Sequence, residues 1–405
     1  MATPKLRFKE FDGDWTSKQL GKIIGVSSAS RVFKEQWQDS GVPFFRTSDV
    51  VSIFKNKENE KAYISLELFE ELAKKSGKIK QGDLLVTGGG TIGIPYLVPN
   101  DQPLYFKDAD LLWMKSSGIV EGSFLYNFFI SPKFREYLKS ISHTGTISHF
   151  TIEQAKATPF GFPSKEEQTK IASFLSAVDE KISQLTQKHA LLSQYKQGMM
   201  QKLFSQQIRF KADDGSEFGG WEEVALSKVS DVRDGTHDSP SYVKDGYPLI
   251  TSKNLKNGKL DLTDINLISE DDYLNINKRS AVNIGDIIFG MIGTIGNPVL
   301  LNSDGFAIKN VALIKEKDEL LNIYLIHYLN SSFFAKQVAL LNAGNTQKFL
   351  ALGQIRSLSI HKPQLAEQTK IANFLSAIDQ KIEVVAQQIE QAKQWKKGLL
   401  QQMFV

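Results

Sequence analysis

Apolar side chains recur at alternating steps of four and three residues along two stretches of the chain. The first holds Ile171, Leu175, Val178, Ile182, Leu185, Leu192, Met199 and Leu203, with His189 and Lys196 breaking the series. The second holds Ile371, Leu375, Ile378, Ile382, Val385, Ile389, Ala392, Leu399 and Met403, with Lys396 in the seam. A sustained heptad pattern of this kind predicts two long helices, each with a stripe made for another helix. Elsewhere, short apolar runs bounded by Gly, Asp and Pro predict strands at 83–87, 96–98, 110–114, 286–290 and 299–301. Apolar helical stretches run from Phe124 to Leu138 and from Ile323 to Leu341.

The chain repeats itself. Residues 167–182 and 367–382 are identical at thirteen of sixteen positions, at an offset of 200 in 405 residues. The parallel extends outward. Glu10-Phe11-Asp12-Gly13-Asp14-Trp15 is echoed by Glu217-Phe218-Gly219-Gly220-Trp221, and Gly82-Asp83-Leu84-Leu85 by Gly285-Asp286-Ile287-Ile288. Gly90-Thr91-Ile92-Gly93 returns as Gly293-Thr294-Ile295-Gly296. The helices are near copies and the intervening globules are not. The helices therefore share one job, and the globules do one kind of job on different targets. The fold class is mixed α/β (α+β), two globules with two long helices. The segments are a first globule at 1–162, a first helix at 163–205, a linker at 206–219, a second globule at 220–361 and a second helix at 362–405.

Ser164 with Glu167, after Pro163, has the spacing of a capping box; the second helix keeps Pro363 and Glu367 but has Gln364 at the cap. Gly198 and Gly398 fall at equivalent places and mark a kink or a close crossing of backbones. A helix of over ten turns is about 60 Å long at 1.5 Å per residue. A globule of this size is about 30 Å across. Packing of each helix on its own globule alone is the competing arrangement, but a helix that outreaches its globule needs a partner along its length. The first helix leads from the first globule to the second, so a returning partner runs antiparallel. Two copies so related have an approximate two-fold axis, which duplex DNA shares in its backbone.

Composition narrows the chemistry. Hydrophobic residues make up 41% and charged residues 23%, as in ordinary globular proteins. The net charge of +4 permits a polyanion partner only where charge clusters. With no cysteine, disulfides, thiolate zinc sites and cysteine nucleophiles are excluded. The polar start MATPKLRFKEFDGDW is no signal peptide, and no apolar run has spanning length, so a cytoplasmic protein without a membrane partner is expected. Gly88 to Gly93 fits GxGxxG, but Ile-Pro-Tyr-Leu-Val-Pro follows where a helix should start, and the second copy, with Ile292, breaks the pattern. A tight turn is the plainer reading. Close approach to a phosphate, with Thr91 or Thr294 as hydroxyl donors, is the functional one. No P-loop, Asn/Asp-Pro-Pro-aromatic motif, triad or metal spacing is present, so no cofactor or metal is assigned to this chain.

Candidate DNA contacts are polar loop residues with basic neighbours. Arg46, Thr47 and Ser48 are matched by Thr251, Ser252, Lys253 and Asn254; an Arg can pair with guanine and an Asn with adenine. Thr144, Thr146, Ser148 and His149 are matched by Asn345, Thr346, Gln347 and Lys348. Thr236 and His237 lie in an Asp-Gly-Thr-His-Asp-Ser-Pro turn. An ordinary solvated loop is the competing reading for each of these residues. Lysines on the helix faces, such as Lys188 and Lys393, are read as a solvated surface, or as contacts to spacer DNA or to a partner.

The duplicated EQTKIA-FLSA-D-KI block, the GD-(I/L)(I/L)…GTIG segment and the Gly-Asn-Thr-Gln-Lys-Phe loop at 344–349 together resemble the specificity subunit of a type I restriction–modification system. The resemblance spans essentially the whole chain, and is looser at Gly145–Phe150. It implies two target-recognition domains joined by an antiparallel coiled coil. It also implies a bipartite asymmetric site on double-stranded DNA, with the helices setting the spacer. The implied partners are two methyltransferase subunits and restriction subunits, which would carry S-adenosylmethionine, ATP and Mg. A two-module protein-interaction scaffold is the alternative; an enzyme with a site in each globule has no supporting motif.

Overall fold

The computed structural model describes residues 3–116, 118–141, 149–293, 295–341 and 349–405. They divide into two compact units, Met1–Thr186 with Gln387–Val405, and Gln187–Ala386. Each unit thus contains part of both long helices, Lys165–Phe204 and Leu365–Met403. The sequence reading separated globules from helices. The apolar faces of the helices in fact complete the globular cores, so the compact body is globule plus helix pair.

In the first unit, Leu84–Thr87 lies inside a four-stranded antiparallel sheet between Leu111–Lys115 and Pro95–Leu97, with Gly25–Ser27 outermost. All four residues of Leu84–Thr87 are buried, as a continuous apolar run predicts for a strand covered on both faces. A second sheet orders Ala62–Ile64, Val42–Phe45 and Tyr105–Phe106. The second unit repeats the first plan with Ser230–Asp234, Val311–Glu316, Ile287–Gly290 and Gly296–Leu300. The copies part after the strand Val42–Phe45. The helix Thr47–Phe54 follows it in the first unit, while a short hairpin, Leu255–Lys256 with Lys259–Leu260, follows Tyr247–Ile250 in the second.

The apolar stretch from Phe124 to Leu138 forms two helices, Gly122–Ile130 and Pro132–Ser140. Ser131 stops the first and caps the second, accepting from the Phe134 amide at 3.3 Å, and Pro132 suits a first helical turn. Ser331 repeats the break, accepting from the Phe334 amide at 3.3 Å.

The long helices pair, and within each unit the beginning of one meets the end of the other. In the first unit Ile171, Leu175 and Val178 share a core with Leu399, Met403 and Phe404; in the second Ile371, Leu375 and Ile378 share one with Met200, Leu203 and Phe204. The pairing is therefore antiparallel, and packing on the globule alone is ruled out. The seam lysines are explained: Lys396 Nζ lies 2.6 Å from Asp179, and Lys196 Nζ lies 2.6 Å from Asp379. Each helix ends in a plug. The Phe404 ring sits 5.0 Å from that of Phe124, and Phe204 sits 5.4 Å from Tyr328. Gly198 and Gly398 mark no close crossing: a Cβ on Gly198 would meet nothing within 4 Å, and one on Gly398 only the end of the Gln402 side chain. Among the described residues, no helix is long and apolar enough to cross a membrane.

The identity of the duplicated block has a physical cause. Ser164 Oγ accepts from the Glu167 amide at 3.3 Å, as a cap should. The Glu167 carboxylate, 1% exposed, is turned inward instead of closing the capping box. It accepts from Arg7 Nε at 2.8 Å, Arg7 Nη2 at 2.7 Å and Trp15 Nε1 at 3.3 Å. Glu367, fully buried, repeats this with Arg209 at 3.0 and 2.7 Å and Trp221 at 2.9 Å. The next residue ties the helix start to the globule. Gln168 accepts from the Glu121 amide and donates to the carbonyls of Ile119 and Pro163; Gln368 accepts from the Leu321 amide and donates to those of Glu319 and Pro363.

Removing a buried charge leaves its partner uncompensated, which costs about 3 to 5 kcal/mol. Glu367→Ala should therefore destabilise the second unit, and Glu167→Ala the first, by amounts of that order in urea unfolding. Losses below about 1 kcal/mol in both variants would show that these clamps do not hold the helices.

Candidate nucleic-acid interface

The Gly-rich segment is a turn. Thr87 Oγ1 donates to the Thr91 carbonyl at 2.5 Å and accepts from the Ile94 amide at 2.9 Å, folding residues 88–93 over one side chain. Gly90 is left-handed at φ 67°. A Cβ on Gly88 would lie 2.8 Å from the Phe150 carbonyl, closer than real Cβ atoms come. The turn therefore serves as a rim: Gly89 bridges His149, and the Phe150 amide donates to the Gly88 carbonyl at 2.7 Å. Thr91 and His149 stand exposed on this rim. Thr47 joins it, its Cγ2 3.7 Å from where a Gly90 Cβ would lie and its hydroxyl 3.4 Å from the Asp110 carbonyl. Ser48 follows, exposed, with its hydroxyl 3.3 Å from Asn59 Nδ2. The structure thus brings Thr47, Thr91 and His149 to one edge of the first unit.

In the second unit Ile292 bridges Phe349, and the Leu350 amide donates to the Met291 carbonyl at 2.9 Å, so the same rim is present. Thr236 bridges Lys309. Gly235 makes that approach feasible, since a Cβ there would lie 2.2 Å from the Ile308 carbonyl. His237 is fixed at both ring nitrogens, Nδ1 2.8 Å from Asn310 Oδ1 and Nε2 2.9 Å from Asp234 Oδ2. Asp234 is in turn ion-paired to Arg279. Lys309 Nζ donates to Ser239 Oγ at 2.7 Å, and Ser252 Oγ lies 3.4 Å from the Asn310 carbonyl. Lys253 is exposed beside Asp264 at 3.2 Å.

Lys309 and Asn310, at the centre of this cluster, were missed by sequence reasoning. A signal existed. Lys107 and Lys309 each follow the strand that lies parallel to the Val42–Phe45 or Tyr247–Ile250 strand, and their amides bond the carbonyls of Phe45 and Ile250 at 2.8 and 2.9 Å.

Two expected readers of bases are placed otherwise. The Arg46 guanidinium donates to Asp49 at 2.9 and 3.2 Å and to the Glu60 carbonyl, and lies 5.6 Å over the Trp37 ring. Those donors would have to be released before they could pair with guanine. Asn254 is 2% exposed; its amide nitrogen donates to the carbonyls of Asp261 and Asp264, and its oxygen accepts from the Thr251 amide and hydroxyl. It holds a loop together and presents no edge to a base. Thr144, Thr146, Ser148, Thr294, Asn345, Thr346, Gln347 and Lys348 lie outside the described residues. Among the described residues, no group of three or more His, Asp or Glu side chains is placed to hold a metal ion.

Compared with known proteins, residues 12–194 and again 219–394 match the Type I restriction modification DNA specificity domain. The chain is similar to the Type I restriction enzyme MjaVIII specificity subunit of Methanocaldococcus jannaschii, 28% identical over 297 residues and 68% of each chain. It is similar over more of its length to the putative MjaX specificity subunit of the same organism, 25% identical over 416 residues, covering 98% of this chain and 94% of that one. Its fold is similar to the crystal structure of a Type-I restriction-modification S subunit from M. genitalium, with a TM-score of 0.61 at 16% identity over 100% and 99% of the two chains.

An unsatisfied buried polar group costs about 1 to 3 kcal/mol, whereas surface changes stay within about 0.5 kcal/mol. Asn254→Ala should lower stability by the larger amount in urea unfolding, and Thr91→Ala by no more than the smaller. Equal effects would contradict the division between supporting and presented residues.

Proposed function

This chain belongs to the family of type I restriction–modification DNA specificity proteins, and from that premise we propose that it is the sequence-reading subunit of such a complex. Each unit reads one half of a bipartite, asymmetric site on double-stranded DNA, and the paired helices set the spacer between the halves. The observation that carries this reading is the double match of the family's domain, each copy secured to the helix pair by the same Glu–Arg–Trp clamp and Lys–Asp pair. Identical supports with divergent surface loops suit two readers of different sequences.

The proposed contacts in the first unit are Thr47, Ser48, Thr91 and His149, with Thr144, Thr146 and Ser148. In the second they are Thr236, His237 and Lys253, with Thr294, Asn345, Thr346, Gln347 and Lys348, to which Lys309 is added for its place beside Ser239. Arg46 and Asn254 act as supports of their loops. Catalysis falls to partners: two methyltransferase subunits, which bring S-adenosylmethionine, and restriction subunits, which bring ATP and Mg. The complex works in the cytoplasm, where the DNA is. The free chain binds its site weakly, and the methyltransferase complex binds it tightly.

Neutralising Z phosphates releases counterions, so log affinity falls against log salt with a slope of about −0.9Z. A filter-binding titration should show a steep negative slope; a flat one would remove DNA as the partner and favour two protein clients. One extra heptad in both helices adds about 10 Å at 1.5 Å per residue. At about 3.4 Å per base pair, the spacer in a methylation assay should lengthen by about three base pairs. An unchanged spacer would refute the helices as a ruler while leaving recognition intact.

A further inference from the structure

The second unit holds a cleft of about 860 Å³ where the helix Asn322–Leu329 lies against both long helices. On its floor is His327, only 4% exposed. Its Nε2 lies 3.0 Å from Ser376 Oγ and its Nδ1 lies 3.8 Å from Asp379 Oδ2, both on the second long helix. From the first long helix, Lys196 pairs with that same Asp379 at 2.6 Å. At the mouth, Lys259 of the hairpin pairs with Glu383 at 2.8 Å. The helix that carries His327 has no other charged side chain.

This is not a hydrolytic triad. The 3.8 Å separation is beyond a hydrogen bond, and Ser376 sits inside a continuous helix whose amides are used within it, so its own backbone offers no oxyanion donor. What the cradle does is exclude an imidazolium. Burial first, and the neighbouring Lys196 ammonium second, hold the imidazole at about 4 against an ordinary 6.5, with Asp379 opposing them in part.

The duplication supplies an internal control. The Lys–Asp pair recurs in the first unit as Lys396 with Asp179 at 2.6 Å, and Ser176 repeats Ser376. The residue at the equivalent place, 200 positions earlier, is Asn127, which does not titrate. Of the two cradles, which share the Lys–Asp pair and the serine, only the second therefore responds to protons through this position.

We infer that His327 is a proton-operated latch, whose protonation weakens the packing of the helix Asn322–Leu329 on the paired long helices of the second unit. The closed form carries a neutral ring, and the opened form, with the ring in water, accepts the proton. Closure is thus at full strength above pH 6.5, weakens as pH falls, and loses the whole contribution at about pH 4. The latch does not depend on the DNA-reading proposal, and its test uses no DNA.

Backbone hydrogen exchange on the full chain, expressed as protection factors corrected for intrinsic rates, reads both units at once. From the two proton affinities, protection of 322–329 should fall by about 30-fold between pH 8 and pH 5. The counterpart helix 122–130 should fall by clearly less, and H327N should bring the two helices into line. H327Q provides the same comparison should H327N fail to fold. Unchanged protection of 322–329 in the parent protein, or the same loss in the substituted chain, would overturn the latch.

Discussion

One buried carboxylate at the start of each long helix organises everything built on it. Glu167 and Glu367 are shut away from water, and a carboxylate so placed is tolerable only with charged and hydrogen-bonding partners. Arg7 with Trp15, and Arg209 with Trp221, supply them. These partners come from the segments just before each globule's first strand, so the bond that satisfies the carboxylate also fixes where the globule begins. Gln168 and Gln368 then tie the same helical turn to the loops that precede the Gly122–Ile130 and Asn322–Leu329 helices. A helix held at two points in one turn cannot rotate about its axis without breaking buried bonds.

With that orientation set, the heptad stripe faces the partner helix, and the polar interruptions in it become useful. Lys196 and Lys396 would weaken an all-apolar seam, yet each meets an aspartate of the facing helix. A polar pair of this kind favours one register over its neighbours, because a slip strands the charge. The terminal phenylalanines add to this by entering a core only when the helix ends at the right place.

The supports are copied and the surfaces are not. Beyond the strand Val42–Phe45 one unit builds a helix; beyond Tyr247–Ile250 the other builds a hairpin. The hairpin reaches Glu383 through Lys259, a contact with no place in the first unit's plan. The exchange of Asn127 for His327 is a second asymmetry, within the support itself. Divergence of this sort is cheap, because a loop that projects from a clamped strand can change without disturbing the clamp.

Much of the architecture was legible before any coordinates. The repeat, the long helices and the antiparallel sense follow from periodicity and connectivity, which are properties of neighbouring residues and chain order. The strands at 84–87 and 287–290 were visible because fully buried strands are written as unbroken apolar runs. The roles of single side chains were not. Arg46 and Asn254 look like readers of bases because both residue types do that work, but Asp49, Glu60, Asp261 and Asp264 claim their hydrogen bonds. The partner of Glu167 stands 160 residues away, and that of Lys396 stands 217 away. Local sequence determined which elements form and along which faces they are apolar. Only tertiary packing decided which polar groups meet, since that choice depends on what each buried group finds within about 3 Å once the chain has closed.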